Sequence, residues 1–180
     1  MLTLWMAAHA AEVSIGAFVG AHIADPRHEL YQSPEKAHGP LGIAFPVGGR
    51  LGLKLIGPLH VEGEGLIGPA TRVGGGMLYG LRGQATLMGP HAWPVRPLVA
   101  VGFGNLGVQT NKLGNDVDLA GHAGLGAVVR LNPVVGLRGD ARWMLSAREG
   151  RGGIGHHGEI LVGLHITPWV HRNPDRDGDG

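Results

Sequence analysis

The chain has 180 residues, 34 of them glycine and none cysteine; the length suits one domain, and the missing cysteine excludes disulfides, thiolate metal sites and cysteine nucleophiles. Charged residues make up 16%, below the roughly 25% of a soluble globular domain, and a net charge of +1 without any lysine or arginine run excludes nucleic acid as a partner. No apolar stretch reaches the roughly 18 to 20 residues of a transmembrane helix, so a membrane-spanning form of this chain has to be a closed β-barrel.

The glycines are scattered through apolar runs, which argues against both a flexible linker and an all-helical fold. At the N-terminus, Met1 to Ala8 is apolar and Ala8-His9-Ala10 has the A-x-A form of a signal-peptidase site. We expect residues 1–10 to be a leader or the remnant of a signal peptide.

From there the dominant signal is a period of two, which places alternate side chains on opposite faces of a strand. Glu12 to Ile23 sets Val13, Ile15, Ala17, Val19, Ala21 and Ile23 against Ser14, Gly16, Phe18, Gly20 and His22. Gly42 to Leu55 sets Ile43, Phe45, Val47, Leu51, Leu53 and Leu55 against Ala44, Pro46, Arg50 and Lys54. The same alternation predicts strands over Leu59–Ile67, Met77–Leu87, Arg96–Asn105, Leu119–Leu131, Val135–Leu145 and Gly158–Thr167. These eight segments run to roughly 9 to 14 residues, where a tilted membrane strand needs about 9 to 11 and soluble strands average about 5 to 6.

Short connections at Ile56-Gly57-Pro58, Met88 to Val95 and Asn132-Pro133 alternate with longer or more polar ones at Ala24 to Pro40, Gly68 to Gly76, Gln109 to Asp118 and Ser146 to His157. Short turns on one side and long loops on the other suit an outer-membrane barrel with both termini on the periplasmic, short-turn side. Trp93, Trp143 and Trp169, with Tyr79, are candidates for interfacial aromatic girdles.

The face opposite the apolar one carries Arg50, Lys54, Glu62, Glu64, Arg82, Arg96, Arg130, Arg138, Asp140, Arg142 and Glu159 among glycines and alanines. Small residues mixed with balanced charges suit the cramped interior of an eight-stranded barrel, and charges buried there must be paired. We therefore predict an all-β, eight-stranded antiparallel up-and-down transmembrane β-barrel over residues 11–170. Its interior charge network is expected to comprise Arg50, Lys54, Glu62, Glu64, Arg82, Arg130, Arg138, Asp140, Arg142 and Glu159. The alternative, a soluble lipocalin-like barrel, would turn the apolar residues of strand 42–55 inward to line a ligand pocket.

The strand number, the glycine-rich alternation and the phrases Gly16-Ala17-Phe18-Val19-Gly20 and Arg138-Gly139-Asp140-Ala141-Arg142 resemble the barrel domain of OmpA-type proteins and the wider family of outer-membrane β-barrels. The tail, residues 171–180, contains Asn173-Pro174-Asp175-Arg176-Asp177-Gly178-Asp179-Gly180 and is similar to the start of a thrombospondin type 3 repeat. Alternate carboxylates can wrap a calcium ion, so Asp175, Asp177 and Asp179 are candidate metal ligands of at most weak calcium affinity; no other cofactor is expected. The resemblance implies a Gram-negative outer membrane, lipid and lipopolysaccharide as surroundings, and a monomer. It implies contact with peptidoglycan only through a further C-terminal domain.

Other motifs point to structure. Gly102-Phe103-Gly104-Asn105-Leu106-Gly107 has G-x-G-x-x-G spacing but lacks the following helix that a dinucleotide site needs. Glu62 and Glu64 share one face of a strand beside arginines, an ion-pairing arrangement and not a hydrolase cleft. His60, His122 and His165 are scattered interior candidates without metal-site spacing. His156-His157, with Arg148 and Arg151, is read as an external loop able to meet lipopolysaccharide phosphates. Of Ser14, Ser33 and Ser146, none has a nucleophile context, although some barrels of this size are lipid A deacylases with a Ser-His pair. The expected function is non-enzymatic: a structural membrane anchor, with a narrow, porin-like ion channel as the alternative.

Overall fold

A computed structural model describes residues 12–25, 42–71, 76–110, 114–147 and 153–168. The described residues contain β-strands and no helix, and hence no helix able to cross a membrane. The strands are β1 (Val13–Ile23), β2 (Ile43–Ala44), β3 (Val47–Ile56), β4 (Leu59–Ala70), β5 (Gly76–Met88), β6 (Val95–Thr110), β7 (Gly114–Arg130), β8 (Val135–Ala147) and β9 (Ile154–Ile166). Each pairs antiparallel with its neighbour, and β1 pairs with β9 from Ile15↔Ile166 to Ile23↔Gly158. The sheet closes on itself, so the spanning strands leave no long unpaired edge.

β2 and β3 are one staircase of the barrel, interrupted at Phe45-Pro46. Pro46 has no N–H to give to the ladder, but its carbonyl accepts from Gly20 N at 2.9 Å, while Phe45 N donates to the carbonyl of Pro69 at 3.1 Å. The in-out alternation survives the gap, with Phe45 out and Pro46 in. Counted this way, the barrel has the eight expected strands.

The three short turns lie where the sequence places them. Gly57 sits at φ +54° between β3 and β4, in the left-handed region that glycine enters without penalty. Asn132 caps the β7–β8 turn by accepting from Val134 N and Val135 N at 2.9 and 2.8 Å. Both ends of the described barrel, Glu12 before β1 and Thr167 after β9, lie at this turn end; Thr167 N donates to Val134 O at 2.8 Å.

Opposite, the hairpins are taller than expected. β6 and β7 run on to Thr110 and Gly114, paired to the end of the register, so most of the expected loop Gln109–Asp118 is strand. β9 begins at Ile154, which converts the expected loop position of His156-His157 into strand. Residues 1–10, Ser33, Arg148, Arg151, Trp169 and the aspartate tail with Asp175, Asp177 and Asp179 lie outside the described residues.

The outer surface is an apolar belt. Leu51, Leu81, Phe103 and Leu125 are 64%, 68%, 72% and 65% exposed, far beyond the scattered exposure of a soluble monomer. Between the turns and the loop end, no outward-facing described strand position carries a charge. Polar outward residues (Tyr79, Asn105, Gln109, Asn115 and His156) gather toward the loop end. Trp143 stacks on His156 there, ring centroids 5.5 Å apart and planes 11° from parallel, and Trp93 is exposed at the turn end. The odd-numbered residues of strand 42–55 face out: Phe45, Val47, Leu51, Leu53 and Leu55 are all exposed. This overturns the lipocalin-like alternative, because the would-be pocket wall is the exterior.

Candidate functional site

The interior is filled by charge. Arg50 on β3, Glu62 and Glu64 on β4, Arg82 on β5, Arg138, Asp140 and Arg142 on β8 and Glu159 on β9 are all buried. Their alternate positions send every one of them inward. In ring order β4 lies opposite β8, and β5 opposite β9. The strongest contacts therefore cross the lumen. Arg138 Nη1 and Nη2 donate to Glu62 at 2.6 and 3.1 Å. Arg142 Nη2 donates to Glu64 Oε2 at 2.9 Å, and Arg82 Nη1 donates to Glu159 Oε2 at 2.9 Å. Arg50 joins the two walls of the network, reaching Glu64 at 2.7 Å and Asp140 at 3.2 Å, and its guanidinium lies 5.3 Å from the centre of the Phe18 ring.

The arithmetic of this layer is even. Arg50, Arg82, Arg138 and Arg142 contribute four positive charges, and Glu62, Glu64, Asp140 and Glu159 four negative ones. Glu62 has further partners: Gln84 Nε2 and Thr86 Oγ1 both donate to its Oε2, the latter at 3.1 Å. Buried ions are tolerated only when paired and hydrogen-bonded, and eight strands leave a bore about as wide as the side chains that fill it. Glycine supplies the remaining room: a Cβ at Gly124 would stand 2.7 Å from Arg142 Cγ, and one at Gly104 2.9 Å from Arg82 Cγ. On β4, β5 and β8 the charges give way toward the loop end to Leu66, Leu78 and Met144, part of an interior apolar cluster with Phe18, Leu106, Val108 and Leu161. Nothing in the charge pattern of the sequence points to this apolar plug.

Two expected members of the network lie elsewhere. Arg130 ends β7, is exposed, and donates to the carbonyl of His91 at 2.9 Å. Lys54 is half-buried near the turn end and pairs with Glu12 at 3.1 Å. Both stand at the turn-end rim of the barrel, away from the carboxylate layer. Arg96 is buried but bonds the carbonyl of Gly89 at 3.1 Å, away from the carboxylates of the network.

The predicted interior histidines His60, His122 and His165 are buried. His122 Nε2 meets Gln84 Oε1 at 3.0 Å, and His165 Nε2 meets Thr167 Oγ1 at 3.4 Å. Among the described residues no group of three or more His, Asp or Glu is placed to hold a metal ion. Ser146 Oγ lies 3.0 Å from His157 Nε2, both buried in the bore. The Asp25 amide donates to His157 Nδ1 at 3.4 Å. Gly102 to Gly107 runs through β6, with β7 following it and no helix, so the dinucleotide spacing is coincidental.

Asn105 was missed as a structural residue. The β5–β6 pairing skips from Tyr79↔Gly107 to Arg82↔Gly104, and in the gap Asn105 Oδ1 accepts from Leu81 N at 2.7 Å. The side chain replaces a ladder carbonyl on the outer face. Asn105→Val should destabilise the barrel by about 1–3 kcal/mol, the cost of an orphaned amide, read as a lower urea midpoint for unfolding from lipid vesicles; Asn115→Val, beyond the gap, should change it little.

No protein-family model matches the chain, and no curated sequence does. Solved structures do. Neisserial surface protein A superposes with a TM-score of 0.69 at 14% identity, covering 87% of this chain and 98% of its own. The chain has the eight-stranded fold of outer-membrane β-barrels. The N-terminal β-barrel domain of Pseudomonas aeruginosa OprF superposes with a TM-score of 0.51 at 14% identity, over 87% of this chain and 99% of that domain. With so little identity, the likeness is one of fold: alternation and closure recur while the residues filling the bore do not have to.

Proposed function

We propose that the chain is a non-enzymatic outer-membrane β-barrel that serves as a membrane anchor. The observation that supports this reading most strongly is the division of the closed barrel into an exposed apolar belt and a buried, charge-balanced interior. Lipid offers no hydrogen bonds to backbone or charge. The closed sheet satisfies its backbone internally, and the arginine–carboxylate layer keeps ions away from the belt. In this reading the short turns and both ends of the barrel are periplasmic, and Trp93 and Trp143 mark the two interfaces. The protein acts as a monomer among lipid and lipopolysaccharide.

The same layer argues against a conducting role, because guanidinium and carboxylate groups bridge the bore from wall to wall. Refolded protein in planar bilayers should show heat-modifiable β-structure and no steady current above leak. Stable unitary currents from the folded band would replace the anchor by the narrow channel, and a detergent-independent soluble monomer would remove both.

A further inference from the structure

The charge balance of the middle layer fails at the turn end. There Lys54, Arg96 and Arg130 face one described carboxylate, Glu12, which already pairs with Lys54. Beneath the turn Gly89–His91 lies a cavity of about 360 Å³ whose polar lining is Lys54, His60, His91 and Arg96. Arg96 is 4% exposed, and its Nη1 approaches His91 Nδ1 at 3.3 Å. Among the described residues no carboxylate stands within ion-pairing distance of it. His60 is 3% exposed, and its Nε2 has no hydrogen-bond partner. A buried guanidinium whose nearby described carboxylate, Glu12, is committed to Lys54 and a buried imidazole nitrogen without a partner are both costly, and here both line one cavity.

We propose that this cavity binds a phosphate-class oxyanion. Arg96 and Lys54 supply the charge, and His60 Nε2–H supplies a hydrogen bond from the deep wall; charge-assisted bonds of this kind are the strong ones. The cavity has room for a phosphate with a small substituent. The anion is either free phosphate or a lipid headgroup phosphate at the turn end. Burial and the Arg96 guanidinium hold His91 below the usual imidazole range; a bound anion favours its protonated form and raises it. The inference rests on the cavity alone and stands or falls separately from the anchor reading.

The test is ¹⁵N-histidine NMR of the refolded chain in a phosphate-free glycoside detergent. Inorganic phosphate is titrated in one arm and a short-chain phosphatidylglycerol in the other, at constant ionic strength. Saturable shifts of His60 and His91, with the His91 titration moving upward, are expected in at least one arm. Saturation by phosphate identifies the free ion as sufficient, and saturation by the lipid alone identifies the headgroup. Arg96→Gln should weaken binding about tenfold. If that variant lacks the heat-modifiable folded band, Lys54→Gln at the half-exposed rim should weaken binding about threefold. The proposal is overturned by no saturable shift in either arm, by equal shifts with chloride, or by affinity unchanged in the folded variant.

Discussion

Glu64→Ala should lower the unfolding free energy by about 3–5 kcal/mol, the cost of breaking a buried pair from one side. Glu64 is the densest node of the bore: Arg50 reaches it at 2.7 Å, Arg82 at 3.0 Å, and Arg142 donates to both of its oxygens. Removing it leaves four buried guanidinium groups facing three buried carboxylates. The measurement is a urea titration of the chain in lipid vesicles, followed by tryptophan fluorescence and heat-modifiable mobility. The double variant Glu64→Ala, Arg142→Ala restores three against three. It should recover part of the loss, because residues in one network couple by about 0.5–3 kcal/mol. If the two single losses simply add in the double variant, the charges act independently and the network account is wrong.

Leu125→Arg should cost about 2–4 kcal/mol in the same titration, the penalty of a cation at the bilayer midplane of a β-barrel. Leu125 faces outward beside Val99 and Ala141, near the middle of the apolar belt. Asn115→Arg, outward on the same strand but at the loop end, should cost about 0–1 kcal/mol. The contrast between the two positions is what a membrane imposes; in water both substitutions would be close to neutral.

The strands were legible because every one carries large apolar groups on alternate positions through its belt. Val95 to Phe103, with Val95, Val99, Val101 and Phe103 facing out, needs no homologue to be read as half of a barrel wall. The outward apolar alternation ends at Asn105 and resumes at Leu119 because the polarity inverts between them: Leu106 and Val108 turn inward while Asn105, Gln109 and Asn115 turn outward. Above the belt a strand in water looks, by composition, like a loop. His156-His157 misled for the same reason. One histidine stacks on Trp143 outside and the other meets Ser146 within, a strand pattern written entirely in polar residues.

Within the site, parity identified which charges point inward, but not how high along the bore each one stands. Strand tilt decides that, and single strands do not reveal it. Hence the placement of Arg50, Glu62, Glu64, Arg82, Arg138, Asp140, Arg142 and Glu159 together in the bore, and of Lys54 and Arg130 at the rim, became visible only with the register of all strands. The unbalanced Arg96 and the unpartnered His60 share that origin: each reads as one more inward residue until its height is known.

In this account the outward-facing apolar belt of the barrel meets lipid. The absence of cysteine from the sequence makes single-cysteine labelling clean. Fluorophores placed at Leu51, Leu125 and Asn115 should be read in vesicles against acyl-chain brominated lipid and against aqueous iodide. We predict strong bromine quenching and iodide protection at Leu51 and Leu125, with the reverse at Asn115. Iodide quenching at all three positions, in a chain that stays monomeric without detergent, would contradict the membrane barrel.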